Sequence, residues 1–411
     1  MEVAISKQLV YLQKKNDMKK SYFILPILCF AIFFGCAPIY KTAQEKYELG
    51  QFNTAIPLFQ ESLNKSQHER EKGKINMYIG DSYRLSNRIA EALPFYEKAL
   101  EEKYYTDALA FHYGKALKAS GRYEDAAKQF SGFVKTGSDY ALVKQAKDEL
   151  EGLKVADSLA KGNPYMRVTN LAGVNTEAID YAPVLWGDKM VFTSSRNASK
   201  IYEATGTGFT DLYMIDTAKL NDSEAGVMPF SDVVNSNGFH EATPAFAKEG
   251  KMMIFARSNS GAKGEKNILD VNLYISEMTE NEWSEAKLLI DITQTKKSWD
   301  GTPTFSTDGQ TLYFASDRDG GYGGLDLWSS KMNDRGEWSR PRNMGKDINS
   351  PANEMFPHVS AEGELFFASD GHQSLGGLDI FEAVRADGSI TVRNLGAPIN
   401  SSSDDFGMVT L

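Results

Sequence analysis

The chain is poor in cysteine: among 411 residues there are two, Cys29 and Cys36, both in or beside one apolar segment near the start. That excludes a disulfide framework and a Cys-x-x-Cys metal site in the body. Histidine is nearly as scarce, and the five present (His68, His112, His240, His358 and His372) show no His-Glu-x-x-His or other ligand spacing. No nucleophile elbow, Walker loop or Gly-x-Gly-x-x-Gly follows any strand-like run. Excess positive charge is missing too. The formal net charge is -10, and an acidic body repels phosphate backbones, which argues against nucleic acid as a partner.

A membrane-spanning run is also absent. The apolar stretch from Tyr22 to Phe34 has 13 residues, preceded by Lys19 and Lys20, and falls short of the ~20 that a helix needs to cross a bilayer. It reads as the core of a signal peptide covering residues 1–35. Met18 before Lys19-Lys20 would itself make a start, which suggests that residues 1–17 are an over-extended gene start. Phe33-Phe34-Gly35-Cys36 resembles the lipobox of bacterial lipoproteins, with Phe33 where that family usually has leucine. The resemblance implies a diacylglyceryl group on the Cys36 thiol, and acyl chains account for a cysteine with no partner. The alternative is that Cys36 is a small apolar residue, as Cys29 is.

Beyond the leader, 42% hydrophobic and 24% charged residues over this length suit two or three folded domains. Between residues 41 and 135 small and aromatic residues recur in helix-length blocks: Gly80, Ala92 and Tyr96, then Gly114, Ala126 and Phe130, with Gly80 to Gly114 and Ala92 to Ala126 both offset by 34. An earlier unit fits with Ala43, Gly50, Ala55 and Phe59. A 34-residue period with small residues at helix crossings resembles tetratricopeptide repeats and implies an α-solenoid over 36–161. A last helix, with Ala146, Leu150, Leu153 and Ala156 on one face, stops at Gly162-Asn163-Pro164 and caps it. The groove of such a solenoid commonly holds a partner peptide; the blander possibility is that the repeats merely form a spacer or pack on the next domain.

From 162 to 411 the pattern changes to short strands and glycine turns. Four units overlay: Pro183, Pro244, Pro303 and Pro357 open strands, and Phe192, Phe255, Phe314 and Phe367 form an aromatic column one strand later. Asp211, Asn272, Asp326 and Asp379 begin the strand after that. Four strands per unit with one aromatic facing the neighbouring sheet is what a β-propeller blade requires. The expected class is thus multidomain, α then all-β, a solenoid followed by a four- to five-bladed propeller. Arg167-Val168-Thr169-Asn170-Leu171 resembles the outer strand Thr391–Leu395, and Asp404-Asp405-Phe406-Gly407 resembles the opening of another blade. The expectation is a fifth blade, with 167–171 as its outer edge, 406–411 as its inner strand and no middle strands: an incomplete ring or a truncated gene.

Asp211, Asp326 and Asp379 with Arg196 and Arg318 invite a catalytic reading as acid–cation pairs. A residue recurring in every blade, however, solves a problem that every blade has, such as accepting backbone N–H bonds at a strand start. Ser306-Thr307-Asp308-Gly309 reads as a hairpin turn, and Asp317-Arg318-Asp319-Gly320-Gly321 lacks the later acidic ligands of a calcium loop. His240 and His358, beside Pro244 and Pro357, are expected near one mouth of the propeller. On this reading the chain is not an enzyme and needs no cofactor or metal.

The columns resemble the WD-like repeats of TolB-type propellers. The order of signal peptide, lipobox, tetratricopeptide repeats and propeller resembles a family of Bacteroidetes envelope lipoproteins, some of which serve type IX secretion and gliding; Asn272 departs from that family's aspartate, and its peptidoglycan-binding C-terminal domain is missing. The resemblance implies a scaffold or assembly protein lipid-anchored at Cys36 to the outer membrane and facing the periplasm. It would bind envelope proteins or peptides through the helical groove and propeller face. The rival is a propeller hydrolase or glycan-binding protein with a site around Tyr322 and His372.

Overall fold

The computed structural model describes residues 37–197, 199, 201–258, 271–293 and 298–410. Cys36 and the segment before it lie outside the described residues.

Seven helices come first: α1 (Ala37–Glu48), α2 (Phe52–Lys65), α3 (Glu69–Leu85), α4 (Ile89–Glu101), α5 (Asp107–Ala119), α6 (Tyr123–Thr136) and α7 (Tyr140–Lys161). Two have side-chain N-caps: the Thr106 hydroxyl accepts from the Leu109 amide, and Asp139 accepts from Ala141 and Leu142. The repeated glycines are there for contact. A Cβ at Gly80 would come within 2.6 Å of the Tyr96 ring and one at Gly114 within 2.5 Å of the Phe130 ring, so the paired helices close only over hydrogen. Tyr96 and Phe130 are fully buried. Helix α7 ends at Gly162, whose φ of +59° is a backbone conformation that favours glycine and whose N–H donates to the Leu159 carbonyl.

Four antiparallel sheets follow. The first contains β1 (Asp180–Trp186), β2 (Lys189–Ser194), β3 (Asp211–Asp216) and β4 (Met228–Pro229). The second contains β5 (Glu241–Ala247), β6 (Met252–Ser258), β7 (Val271–Thr279), β8 (Glu282–Trp283) and β9 (Lys287–Leu288). The third contains β10 (Asp300–Phe305), β11 (Thr311–Ser316), β12 (Asp326–Lys331) and β13 (Arg342–Asn343). The fourth contains β14 (Glu354–Val359), β15 (Leu365–Ser369), β16 (Asp379–Ala386) and β17 (Ser389–Asn394). Each sheet is one blade of a propeller, with β1, β5, β10 and β14 innermost: the prolines of all four converge on the axis around a cavity of only about 40 Å3.

The phenylalanine column holds blade to blade. Phe255 packs with Val191 and Leu212 of the first blade, Phe314 with Ile254 and Leu273 of the second, and Phe367 with Ala315 and Leu327 of the third. Phe192 has no preceding blade, and its cluster is met by Val409 from the C-terminal segment instead. Burial of each ring contributes roughly 2–3 kcal/mol.

Each inner strand is bulged just before its proline, where Ala182, Thr243, Thr302 and Phe356 take φ of +49°, +52°, +46° and +50°. Gly407 repeats this at φ +74° in the segment 404–410, which carries no strand pairing. Phe406 stacks on Phe356 at 4.6 Å and meets Tyr181 at 6.0 Å, and His358 Nε2 lies 2.9 Å from Thr410 Oγ1. The segment therefore sits at the seam between β14 and β1. Four blades form, and the anticipated fifth does not: residues 167–171 form no strand, and Val168 is 72% exposed. A lone edge without middle strands has nothing to pair with.

The solenoid rests on the propeller. Lys118 of α5 donates to Ser374 Oγ, the Asn53 amide donates to the Ala204 carbonyl, and Asn163 N–H and Leu159 O both bond Ala397.

Candidate functional site

The aspartates that begin the third strands turn out to be loop clamps. Asp379, fully buried, accepts from the amides of Leu375 and Gly376 and from the Asn394 side chain at 2.7, 3.1 and 2.8 Å. Asp326 does the same with the Tyr322 amide and Asn343. In the first blade Pro229 stands in the register position of those asparagines, so Asp211 lacks the amide and is half-buried beside a polar cavity of about 300 Å3. Burial raises the pKa of both Asp211 and Asp379. Asn272, half-buried on β7, pairs in register with Arg257.

Arg196 and Arg318 do not pair with these aspartates. They reach a second carboxylate column, one that the sequence reading missed. Asp180, Glu241, Asp300 and Glu354 each precede an axial proline by three residues, and Asp405 holds the same place at the seam. Arg196 lies 2.8 Å from Asp180, Arg257 2.8 Å from Glu241 and Arg318 2.6 Å from Asp300, while His372 stands 4.0 Å from Glu354. The same carboxylates cap the preceding loops: Asp180 accepts from Thr176, Glu354 from Ser350 and Asp405 from Ser401, each through backbone N–H and hydroxyl. Burial pushes Glu241 and Glu354 up to about 7. The signal was legible as a fixed offset from the prolines.

The turn Ser306–Gly309 joins β10 to β11, with Ser306 donating to Asp308 and Gly309 at φ +67°. In the loop 317–321, Asp317 accepts from the Trp299 amide and Arg318 from this stretch is the Asp300 partner, so both side chains serve the frame.

Two cavities stand out. One, of about 570 Å3, lies between the solenoid and the third and fourth blades, with Arg84, His112, Lys115 and Glu149 on one wall and Asn353, Asp370 and His372 on the other. Domain interfaces are frequent ligand sites. Here the charges are matched: Lys115 and Lys118 grip the two oxygens of Glu149 at 2.8 and 2.9 Å. Burial, with Arg84 and Lys115 nearby, holds the His112 pKa down to about 3. His372 bonds the Ile348 carbonyl, and Tyr322 is 54% exposed outside this cleft.

The other cavity, about 270 Å3, opens at the axial mouth where the inner strands begin. Tyr181, Tyr202, His240, Trp299 and Phe356 line it. His240 is here, whereas His358 lines the narrow axis among the prolines, so the two do not share one pocket.

No protein-family model matches the chain, and no curated protein matches it. Solved structures do. One described as TolB of Agrobacterium tumefaciens shares 15% identity over 51% of this chain and 61% of its own, with a TM-score of 0.32. A puromycin hydrolase shares 14% over 56% and 42%, TM-score 0.30. The periplasmic gluconolactonase of Pseudomonas aeruginosa shares 12% over 46% and 51%, TM-score 0.27. The chain thus spans less than two thirds of each, and the likeness concerns the fold alone. It also corrects the expectation that the chain is not an enzyme. Hydrolase and lactonase propellers stand among the matches, a propeller frame is compatible with catalysis or binding alike, and enzyme status is not established.

Proposed function

We propose that the chain is a lipid-anchored scaffold protein of the outer membrane, facing the periplasm, which holds protein partners against its propeller. In this reading it belongs with the type IX secretion and envelope lipoproteins whose domain order it resembles. The mouth cavity carries the proposal. The recurrent charged residues are committed to holding the frame, while the cavity at the axial mouth is walled by aromatic rings, the composition enriched at protein-binding hot spots. The solenoid turns Lys115 and Lys118 toward the fourth blade, so its inner helices brace the propeller and the partner surface shifts to the mouth. An acyl tether at Cys36 would raise the local concentration of partners at the membrane, making modest affinities sufficient.

The test is fractionation and cross-linking in the native envelope. Wild-type chain is expected in the outer-membrane fraction cross-linked to envelope proteins, and Cys36→Ser is expected in the soluble periplasm. Membrane retention of Cys36→Ser, or absence of any cross-linked protein, would refute the reading.

A second reading, a glycan-binding propeller, is favoured by the polar cavity at Asp211, where the carboxylate and the Asn237 amide are groups suited to hydroxyls. Binding of oligosaccharides lost in Asp211→Ala would establish it.

A further inference from the structure

The mouth cavity has a polar feature that its aromatic walls do not explain. Nδ1 of His240 lies 3.1 Å from the Thr210 amide nitrogen. A backbone amide can only donate, so Nδ1 accepts. Burial keeps the ring neutral by lowering its pKa to about 4, which places the proton on Nε2. The rings of Tyr202 and Phe209, both 4.6 Å away, fix the imidazole between them. Among the described residues His240 Nε2 is buried with no hydrogen-bond partner, and so is Oγ1 of Thr243 in the same wall. A buried donor left unmatched is destabilising and calls for an explanation.

We infer that the cavity takes one bulky neutral side chain of a partner peptide, aromatic or branched aliphatic, with a carbonyl of that peptide accepting from His240 Nε2. This rests on the protein-binding reading above and gives it a recognition chemistry. The volume of about 270 Å3 suits a single large side chain and falls below the roughly 300–1,000 Å3 of sites for drug-sized ligands. Four rings around it, Tyr181, Tyr202, Trp299 and Phe356, also have the composition of a cage for an organic cation. The N–H of His240 opposes that, since a cation would meet a donor, and the described wall contains no carboxylate to balance the charge. A sugar would bring several hydroxyls into a wall with few polar partners and leave most of them unmatched. A peptide segment matches both halves: an apolar side chain for the rings and one carbonyl for the donor.

The experiment titrates the full-length chain in detergent with N-acetylphenylalaninamide, following intrinsic tryptophan fluorescence and the imidazole N–H resonances. Trimethylphenylammonium and methyl glucoside serve as competing probes. His240→Asn keeps an oxygen for the Thr210 amide but withdraws the Nε2 donor, and His112→Asn in the interdomain cleft is the control. Saturable binding of the amide is expected, weakened about tenfold in His240→Asn, unchanged in His112→Asn and lost in Trp299→Ala; this last variant decides the matter should His240→Asn fail to fold. Absence of saturable binding, equal affinity in His240→Asn, or tighter binding of the ammonium or the glucoside would overturn the inference. Membrane attachment through Cys36 is read separately by fractionation, so loss of probe binding with the tether intact sinks the cavity assignment alone.

Discussion

Removing Glu149 should destabilise the molecule more than its position in a helical repeat suggests. Its carboxylate lies between Lys115 and Lys118 of α5, at 2.8 and 2.9 Å, and its side chain is 9% exposed. Lys118, 2% exposed, also donates to Ser374 of the fourth blade at 2.7 Å, so the cluster joins two domains. Burial alone would raise the Glu149 pKa, but the two ammonium groups override it and hold the carboxylate at about 2, against an ordinary 4.5. Burial pushes Lys118 down; at Lys115 burial is overridden by Glu149 and Asp370, which hold it up. A depression of about 2.5 pKa units corresponds to roughly 3 kcal/mol at ~1.4 kcal/mol per unit. Because the folded pKa lies below the unfolded one, that stabilisation is complete above about pH 4.5 and is lost as pH falls toward 2. Glu149→Ala leaves the buried Lys118 ammonium without its ion-pair partner and Lys115 with Asp370 alone at 3.9 Å, and should cost about 3–5 kcal/mol at pH 7. Lys118→Met keeps the Lys115 pair and should cost about 1 kcal/mol or less. Guanidinium titrations monitored by circular dichroism between pH 2.5 and 7 measure both, and the acid loss in this window should be flattened in Glu149→Ala. A Glu149→Ala protein within about 1 kcal/mol of wild type at pH 7, or one with the wild-type acid dependence, would refute the reasoning.

Other substitutions probe the frame. Gly114→Ala should lower stability by about 2 kcal/mol in thermal denaturation, because its Cβ meets the buried Phe130 ring at 2.5 Å and this overrides the gain in helix propensity. Gly132→Ala, with nothing within 4 Å of the added Cβ, should instead gain up to about 1 kcal/mol. Arg318→Met strands the fully buried Asp300 carboxylate and should lower the propeller melting temperature by about 10 °C, with the double variant Arg318→Met/Asp300→Asn recovering much of it.

Much of the architecture was legible because each repeat solves the same packing problem with the same residue type. The 34-residue offset of Gly80 and Gly114 records two identical close approaches to a ring, and the column from Phe192 to Phe367 records successive blade contacts. The carboxylate column was harder to see. Its arginine partners lie on the far side of a hairpin, at 16 to 18 residues' separation, and its members alternate between aspartate and glutamate. The acid–cation pairs of the catalytic alternative, already set aside on the repetition, do not form for the same reason: nearness in sequence after a strand says little about which strand edge a side chain faces. Of the mouth cavity only His240 was legible, since Tyr181, Tyr202, Trp299 and Phe356 come from further separate segments and are assembled only when the ring closes.

Ring closure and the candidate site depend on the same seam. The resemblance of residues 404–407 to a blade opening was a real signal: Asp405 caps Ser401 as Glu354 caps Ser350, and Gly407 repeats the positive φ of Ala182 and Phe356. What the segment contributes is packing, because it joins no ladder. Val409 replaces a neighbouring blade against Phe192, and Phe406 wedges between Phe356 and Tyr181, two of the rings that wall the mouth. Held by side chains and a few isolated backbone bonds, such as that from Asp405 N–H to the Leu378 carbonyl, such a seam can open at lower free energy than the paired strands around it. The cavity wall nearest the seam is therefore its most adjustable part, and the opposite wall, where Phe209 and Tyr202 hold His240, is the fixed reference against which a bound group is positioned.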